Sequence, residues 1–164
     1  MRKVLFLDRD GVINNDSGHY YIYRPDDFVL NEGFVEAMQK LALAGYEFIV
    51  ISNQGGIARG TYSKADVEKV HSKFLSLMDD VRISILDIYY CPHHSDFEKC
   101  LCRKPGSLLI EKAMARYTID ANSAIFIGDN DKDMEAARNA GIRGIRIKSN
   151  QSLITILSEL LNGR

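Results

Sequence analysis

Short runs of apolar residues alternate along this chain with longer stretches in which apolar side chains recur at helical spacing. Continuous apolar runs of this length are typical of strands buried on both faces of a parallel sheet. They predict strands at residues 3–7, 46–51, 86–90, 124–127 and 142–147. The helical spacing, with stop signals such as Gly45 and Gly141, predicts helices at residues 33–44, 64–78, 108–117, 133–140 and 153–161.

The alternation of strands and helices predicts an α/β fold. We expect a three-layer sandwich, in which a Rossmann-like, mostly parallel sheet lies between two layers of helices. No repeat, linker or low-complexity segment interrupts the pattern, so residues 1–164 are expected to form a single domain. Ser63 followed by Asp66 predicts a capping box at the start of one helix, and His71 in that helix is expected to face solvent.

Composition and charge narrow the class of protein. Hydrophobic residues make up 46% of the chain and charged residues 26%, which is ordinary for a globular protein, and the formal net charge is −1. Such a balance gives no basic field for nucleic acid or an anionic membrane, so neither partner is expected. No apolar run is long enough to span a bilayer and no signal-peptide pattern is seen, so a cytoplasmic monomer is expected.

Polar side chains stand where the predicted strands end. The carboxyl ends of parallel strands meet at one edge of a sheet, which is where open α/β folds bind ligands. The groups expected at this edge are Asp8, Asp10, Ser52, Asn53, Arg103, Lys104, Asp129 and Asp133. Residues i and i+2 of a strand share a face, so Asp8 and Asp10 repel each other unless a cation or a proton lies between them.

This set of side chains is suited to phosphoryl transfer. An aspartate can attack phosphorus and form an aspartyl-phosphate, and carboxylates together with a substrate phosphate hold Mg²⁺. A hydroxyl and a lysine can bind the oxygens on which charge spreads in the transition state, and a second acid can protonate the leaving oxygen. A strand end with solvated acids is the simpler alternative for each group taken alone.

The three cysteines lie close together, as Cys91-x-His93 followed by Cys100-x-Cys102. An odd, clustered set suits a metal site better than a disulfide framework. Three thiolates and one imidazole match a closed tetrahedral Zn²⁺ site that would brace this loop. The residues alone leave two alternatives open, namely His94 as the fourth ligand and three free thiols without a metal.

Four motifs resemble, in order, those of the haloacid dehalogenase superfamily: residues 8–11 after a strand, Ser52 after another, Lys104, and residues 128–129 after a fourth. The resemblance covers nearly the whole chain and implies the haloacid dehalogenase fold with little or no cap domain. It implies that Asp8 is the nucleophile and Asp10 the general acid/base, and that Ser52 and Lys104 stabilise the phosphoryl group. It also implies that Mg²⁺ is held by Asp8, the Asp10 carbonyl and Asp129, with Asp133 in support.

Longer segments are similar to the bacterial D-glycero-D-manno-heptose-1,7-bisphosphate 7-phosphatases, namely residues 8–14, 52–60, 91–94 and 100–105. This resemblance implies a structural Zn²⁺ held by Cys91, His93, Cys100 and Cys102. It implies a substrate site made of Asp16, Ser17, Gly18, His19, Asn53, Gln54, Gly55, Arg59, Arg103 and Asn130. The chain departs from the family at Ser52, where Thr is usual, and at Asn130, where Lys is usual and a cation near the substrate is lost.

These residues are compatible with three functions. The first is a Mg²⁺-dependent phosphatase that acts on a small-molecule sugar phosphate. Its expected substrate is a heptose 1,7-bisphosphate, hydrolysed at the 7-phosphate on the route to lipopolysaccharide or surface-glycan heptose. The related histidinol-phosphate phosphatases share the cysteine cluster and give the nearest alternative, although residues 56–60 and 91–94 favour the heptose family. A non-catalytic, zinc-braced binding module belongs to another class, and the intact set of acids with Lys104 speaks against it.

Overall fold

The fold is built on a five-stranded parallel sheet with strand order β3-β2-β1-β4-β5. The computed structural model describes residues 2–162. The strands are β1 (Lys3–Leu7), β2 (Tyr46–Asn53), β3 (Ile85–Cys91), β4 (Ala124–Gly128) and β5 (Arg143–Arg146). The helices are α1 (Phe34–Leu43), α2 (Lys64–Asp80), α3 (Leu108–Tyr117), α4 (Asp131–Asn139) and α5 (Leu157–Asn162). Short 3-10 helices span Pro25–Asp27, Ala121–Ser123 and Leu153–Ile156.

Alternate side chains of β1 enter two apolar cores, one on each face of the sheet. Leu5 and Leu7 pack with the buried faces of α1, α2 and α5, whereas Val4 and Phe6 pack with α3 and α4. All four side chains are fully buried, which explains why this strand is a continuous apolar run in the sequence. The predicted three-layer α/β sandwich is therefore confirmed.

The helix boundaries differ from the predicted ones for local reasons. Ser63 caps α2 and forms the predicted capping box with Asp66. By contrast, α4 begins at Asp131 and not at Asp133, because the side chain of Asn130 accepts a hydrogen bond from the Asp133 N–H and caps the helix earlier. The predicted last helix is divided into a 3-10 helix and α5.

The second strand is longer than predicted. Its pairing with β3 continues until Asn53 lies opposite Cys91, so Ser52 and Asn53 belong to the strand and not to the loop that follows. Between β1 and α1 the described chain forms one 3-10 helix of three residues, which agrees with the expectation of little or no cap domain. Within residues 2–162, no helix combines the length and the apolar character that crossing a bilayer requires.

The parallel register brings the carboxyl ends of three strands together. Leu7 pairs with Val50 of β2 on one side and with Ile127 of β4 on the other. The N–H of Asp8 continues this pairing, since it donates to the Ile127 carbonyl over 3.0 Å. Side chains that follow β1, β2 and β4 in the sequence therefore face one common edge.

Candidate active site

Three carboxylates and one lysine lie together where β1 and β4 end. Asp8 follows β1, while Asp129 and Asp133 come from the start of the β4–α4 connection and the first turn of α4. One oxygen from each carboxylate lies within 4.8 Å of the others. Lys104 Nζ is 2.7 Å from Asp8 Oδ1 and 2.7 Å from Asp133 Oδ1, and it donates to the Ile51 carbonyl over 3.0 Å. One ammonium group therefore contacts two of the three carboxylates in a largely buried cluster.

The electrostatics of this acid cluster favour a bound cation. Burial raises the pKa of Asp8 to about 8, Lys104 opposes the increase, and Asp133 and Asp129 add to it. Burial and then the charge of Asp133 also raise the pKa of Asp129. Burial lowers the pKa of Lys104, but the charges of Asp8 and Asp133 outweigh it and raise that pKa above its ordinary value. Lys104 is thus charged, and it alone does not balance the carboxylates.

Gly11 permits the ends of β1 and β4 to approach each other. Its φ angle is +84°, in the left-handed region that favours glycine. A Cβ atom at this position would lie 2.2 Å from Asp129 Oδ2 and 2.6 Å from Ser149 Oγ. Any larger residue would therefore push Asp129 away from Asp8 and disturb the acid cluster.

Asp10 is held beside the acid cluster by a buried arginine. Arg9 donates from Nε and Nη2 to the two carboxylate oxygens of Asp10 over 3.0 and 3.1 Å. Asn14 Nδ2 donates to Asp10 Oδ1 over 3.0 Å. The Asp10 side chain lines the cleft but is not one of the three clustered carboxylates. Its carboxylate is therefore held in one orientation beside the three clustered carboxylates.

The buried side chain of Arg9 lies beside His71, which is buried as well. Arg9 is 1% exposed, donates to the Ile22 carbonyl over 2.5 Å, and has its Nη1 3.4 Å from His71 Nε2. The expectation that His71 faces solvent is wrong, since this residue is 7% exposed and its ring meets that of Tyr90. Burial and the adjacent Arg9 charge lower the pKa of His71 to about 4, so the imidazole is neutral.

The end of β2 positions the segment that carries Lys104. Asn53 Oδ1 accepts from the backbone N–H of Lys104 over 2.9 Å, and Asn53 Nδ2 donates to the Lys104 carbonyl over 3.1 Å. Both hydrogen bonds fix the backbone at Lys104 against the sheet. The neighbouring Ser52 also lines the cleft. Its hydroxyl oxygen accepts a hydrogen bond from Gln54 Nε2 over 2.7 Å.

An open cleft of about 500 Å³ lies over the acid cluster. The residues predicted from the sequence that line it are Asp8, Asp10, Asp16, Ser52, Asn53, Arg103, Lys104, Asp129, Asn130 and Asp133. Those predicted at the substrate that do not line it are Ser17, Gly18, His19, Gln54, Gly55 and Arg59. The cleft is also lined by Asp131 and Lys132, which were not predicted from the sequence. Their position in the first helical turn after Asp129 is the signal that could have indicated them.

Asn130 has two structural contacts in addition to its place on the cleft wall. Its Nδ2 donates to Asp129 Oδ1 over 3.0 Å, and its Oδ1 accepts from the Asp133 N–H over 3.1 Å. A lysine at this position could not make the second bond, because it has no acceptor. Lys132, which is exposed, brings a cation to the same cleft.

Gly55 and Arg59 join two loops. A Cβ atom at Gly55 would lie 2.7 Å from His94 Cδ2 and 2.9 Å from Arg103 Nη1, so glycine lets the loop after β2 pack closely against the cysteine loop. Arg59 forms an ion pair of 2.6 Å with Asp96, and its Nη2 is 3.2 Å from His94 Nε2. These contacts hold the cysteine loop in place beside the cleft.

Asp16 is the residue of segment 16–19 that lines the cleft. Its backbone N–H donates to Asn150 Oδ1 over 3.1 Å, and Ser17 Oγ accepts from Asn150 Nδ2 over 3.1 Å. Ser17, Gly18 and His19 are exposed. The segment is thus tied to the loop after β5, with its exposed side chains outside the cleft wall.

The four predicted zinc ligands come together in the cysteine loop. Cys91 Sγ is 3.7 Å from Cys100 Sγ and 3.0 Å from Cys102 Sγ, and His93 Nδ1 is 3.5 Å from Cys91 Sγ and 3.2 Å from Cys102 Sγ. Ligands of a tetrahedral zinc, at bond lengths of about 2.0–2.3 Å, lie roughly 3.5–3.8 Å apart. The distances from Cys91 to Cys100 and His93 lie in this range, those to Cys102 are shorter, and all four donors lie within 4.8 Å of one another. The three thiols are not in disulfides. The donor set therefore fits a Zn²⁺ ion.

His94, the alternative fourth ligand, has other partners. Its Nε2 lies beside Arg59, and its Nδ1 accepts from the Asp96 N–H over 3.2 Å. His93 therefore suits the fourth position better. Arg103, directly after Cys102, donates to the His93 carbonyl over 3.0 Å and so ties the cleft wall to the cysteine cluster.

Similarity to known proteins agrees with this geometry. A family profile described as HAD-hydrolase-like matches residues 101–159. D-glycero-alpha-D-manno-heptose-1,7-bisphosphate 7-phosphatase of Photorhabdus laumondii is 39% identical over 85% of this chain and 79% of its own length. The D-glycero-beta-D-manno-heptose-1,7-bisphosphate 7-phosphatase of Pseudomonas aeruginosa is 36% identical over 99% of this chain and 90% of its own length.

The solved structures give the same result. D,D-heptose 1,7-bisphosphate phosphatase from B. bronchiseptica, complexed with magnesium and phosphate, superposes with a TM-score of 0.84 at 26% identity and covers 99% of both chains. The fold and the site define a phosphatase of the HAD-like hydrolases. The chain belongs to the D-glycero-D-manno-heptose-1,7-bisphosphate 7-phosphatase family.

Proposed function

We propose that this phosphatase hydrolyses the 7-phosphate of D-glycero-D-manno-heptose 1,7-bisphosphate, a step toward nucleotide-activated heptose. The observation that carries the proposal is the pair of Asp8 and Lys104, buried at the base of a cleft that Arg103 and Lys132 also line. A substrate with two phosphates places one at Asp8 and leaves the other for these additional cations. The names of the relatives support a heptose between the two phosphates.

In this proposal Asp8 is the nucleophile. One of its carboxylate oxygens attacks phosphorus, the bond from phosphorus to the sugar oxygen breaks, and an aspartyl-phosphate forms. Lys104, already 2.7 Å from Asp8 Oδ1, and the Ser52 hydroxyl bind the equatorial oxygens on which negative charge spreads. Their positions are set by the fold before the substrate binds, so no reorganisation is needed during the reaction.

Asp10 moves the proton in both half-reactions. It protonates the sugar oxygen as that oxygen leaves, and it then takes a proton from the water that attacks the aspartyl-phosphate and releases inorganic phosphate. Arg9 and Asn14 hold the Asp10 carboxylate in one orientation through three hydrogen bonds. The same carboxyl group can therefore act first as an acid and then as a base without moving.

The acid cluster fits a Mg²⁺ ion. Lys104 pairs with Asp8 and Asp133 but not with Asp129, and Mg²⁺ is held by a few carboxylates together with water and substrate phosphate. Asp8, Asp129 and the Asp10 carbonyl would hold the ion, with Asp133 in support. When bound, Mg²⁺ would neutralise the charge on the phosphoryl group and on the carboxylates. The B. bronchiseptica structure, which contains magnesium and phosphate, supports this assignment.

Affinity for Mg²⁺ should increase as pH rises from 6 to 8. Without a metal, burial raises the pKa of Asp8 to about 8, so below this pH the carboxyl must lose a proton when the cation binds. The dissociation constant should fall by up to about tenfold per pH unit over this interval. Calorimetric titration of Mg²⁺ in buffers of different ionisation enthalpy measures both the affinity and the proton release. A pH-independent affinity without proton release would contradict the role given to Asp8.

The thiol cluster would hold a structural Zn²⁺. Four protein ligands, Cys91, His93, Cys100 and Cys102, close a tetrahedral site, so the metal would have no position for water or substrate and would do no chemistry. Its contribution would be positional. Arg103 and Lys104 follow the last ligand directly, and their direction depends on how the loop is fixed.

Cys100→Ser should release zinc and reduce catalytic efficiency without unfolding the protein. Cys100 lies outside the sheet, so the strands should stay paired. Arg103 and Lys104 would lose their fixed direction, and misplacement of this kind costs roughly 10- to 100-fold in kcat/KM. Metal analysis, kinetics and circular dichroism measure the three effects. Ser95→Ala, an exposed change in the same loop, is the control and should keep zinc and activity. Zinc-free wild-type protein, purified without chelator, would overturn this assignment.

A substrate panel tests the proposed activity. It should contain both anomers of the heptose 1,7-bisphosphate, histidinol phosphate and a generic phosphate ester, because the names of the relatives include both anomers. We expect the highest kcat/KM on a heptose bisphosphate, with release of the 7-phosphate. A preference for histidinol phosphate would reject the substrate but keep the phosphatase. No hydrolysis of any ester in Mg²⁺ would indicate the non-catalytic binding module.

We also propose that the protein works as a cytoplasmic monomer. The three unpaired thiols at the cysteine cluster support a reducing compartment. Sedimentation of the purified protein at working concentration tests the oligomeric state, and a stable dimer would contradict it.

A further inference from the structure

A buried chain of three polar side chains leads away from the cleft. Gln54 Nε2 donates to Ser52 Oγ over 2.7 Å, and Gln54 Oε1 accepts from the Tyr62 hydroxyl over 2.7 Å. Ser52 and Gln54 are each 1% exposed, and Tyr62 is 6% exposed. Polar groups buried to this extent are costly unless they are hydrogen-bonded, and each of the three has a partner in this chain. Gln54 thus lies behind Ser52 and does not reach the substrate.

The hydrogen bonds of this chain have one direction. The carbonyl oxygen of Gln54 can only accept, so the phenol proton of Tyr62 points toward it. The amide then turns its N–H toward Ser52 Oγ, which accepts. The hydroxyl proton of Ser52 is left for a different acceptor, and Ser52 lines the cleft over the acid cluster. Burial raises the pKa of Tyr62 well above its ordinary value, so the phenol keeps its proton.

Packing fixes the position of the Tyr62 ring. It stacks on Tyr23, with ring centroids 5.2 Å apart and an angle of 12° between the planes, and it meets the edge of Tyr21 at 5.4 Å. The ring also lies against Gly56, where a Cβ atom would be 2.1 Å from Tyr62 Cε1. Any side chain at Gly56 would therefore displace the ring of Tyr62.

We propose that Tyr62 and Gln54 are positioning residues, which orient the hydroxyl proton of Ser52 toward an oxygen of the transferring phosphoryl group. The inference rests on the role proposed above for Ser52. A hydrogen-bond donor that is already oriented stabilises developing charge without reorganisation. The relay of Tyr62, Gln54 and Ser52 therefore acts on the transition state more than on substrate binding. It therefore lowers the barrier and leaves KM nearly unchanged.

A double-mutant cycle between Tyr62→Phe and Ser52→Ala tests the relay, with para-nitrophenyl phosphate as substrate. Ser52→Ala should lower kcat by about 10²-fold or more. Tyr62→Phe should lower kcat roughly tenfold at unchanged KM, since one orienting hydrogen bond is lost. In the Ser52→Ala background, Tyr62→Phe should have no further effect, because the proton that the relay orients is gone. Gln54→Met should behave like Tyr62→Phe in both backgrounds and serves if Tyr62→Phe fails to fold.

Tyr23→Phe is the matched control, because it removes a hydroxyl from the ring stacked on Tyr62 but not from the relay. It should keep wild-type kcat. Equal losses for Tyr62→Phe with and without the Ser52 hydroxyl would overturn the relay, as would a loss at Tyr23→Phe as large as that at Tyr62→Phe. The generic ester keeps the two proposals apart, since failure to hydrolyse heptose bisphosphate would reject the substrate and leave the cycle interpretable.

Discussion

Asp8→Asn is expected to abolish turnover and leave the protein folded. The amide is a poor nucleophile, so kcat on any phosphate ester should fall by at least about 10⁴-fold. Asparagine has nearly the same shape, and its oxygen can still accept from Lys104. Burial raises the pKa of Asp8, which means that its buried charge is unfavourable, so removing that charge should not lower the unfolding temperature. Phosphate release and thermal unfolding measure the two expectations.

The control for Asp8→Asn is Asp80→Asn, at an exposed aspartate in the last turn of α2, which should keep wild-type kinetics. Rapid acid quench of the wild type during turnover, followed by mass spectrometry, should find a phosphate on the peptide that contains Asp8. Substantial turnover by Asp8→Asn, or a phosphate on another residue, would reject the covalent mechanism.

Lys104→Met should give the second largest effect, on both stability and activity. Lys104 is 2% exposed and lies 2.7 Å from oxygens of both Asp8 and Asp133. Its loss leaves buried carboxylates without a cation, which should cost about 3–5 kcal/mol of unfolding free energy in metal-free protein. It also removes a donor to the phosphoryl group, worth about 10²–10³-fold in kcat. Urea unfolding with and without Mg²⁺ measures the stability of the variant, and phosphate release measures its kcat. We expect Mg²⁺ to restore stability more than activity.

Lys99→Met is the matched control for Lys104→Met, since it removes an exposed lysine from the same loop. It should change neither kinetics nor stability, and both variants should keep their zinc because neither removes a ligand. If Lys104→Met retained wild-type kcat, the lysine would have only a structural role.

The acid cluster could be predicted because it follows from strand register. Asp8 and Asp129 come directly after β1 and β4, and neighbouring parallel strands bring such positions together in any sheet of this kind. The cysteine cluster was similarly accessible, since its four donors lie within twelve positions, from Cys91 to Cys102. The cysteine cluster can therefore be located from short spacings in the sequence. The acid cluster can be located from the rule that parallel strands end at one edge of the sheet.

The role of Arg9 could not be predicted in the same way. An arginine between two aspartates is usually a solvated surface charge, and its burial here depends on the Ile22 carbonyl and on His71, which come from distant segments. For Gln54 a local signal existed. It lies two positions after Ser52, so its side chain can face the hydroxyl, but its direction depends on Tyr62 in the following loop.

The order of strands in the sheet has a consequence during synthesis. The apolar strand β1 lies at the centre of the sheet and pairs with β2 on one side and with β4 on the other. Ribosomes add roughly 5–20 residues per second, so β4 leaves the ribosome roughly 6–24 s after β1. During this interval one edge of the nascent β1–β2 pair has unpaired backbone groups and apolar side chains, a surface that invites aggregation. The open edge of the central strand is therefore covered only after translation has passed residue 128 and β4 has paired with β1.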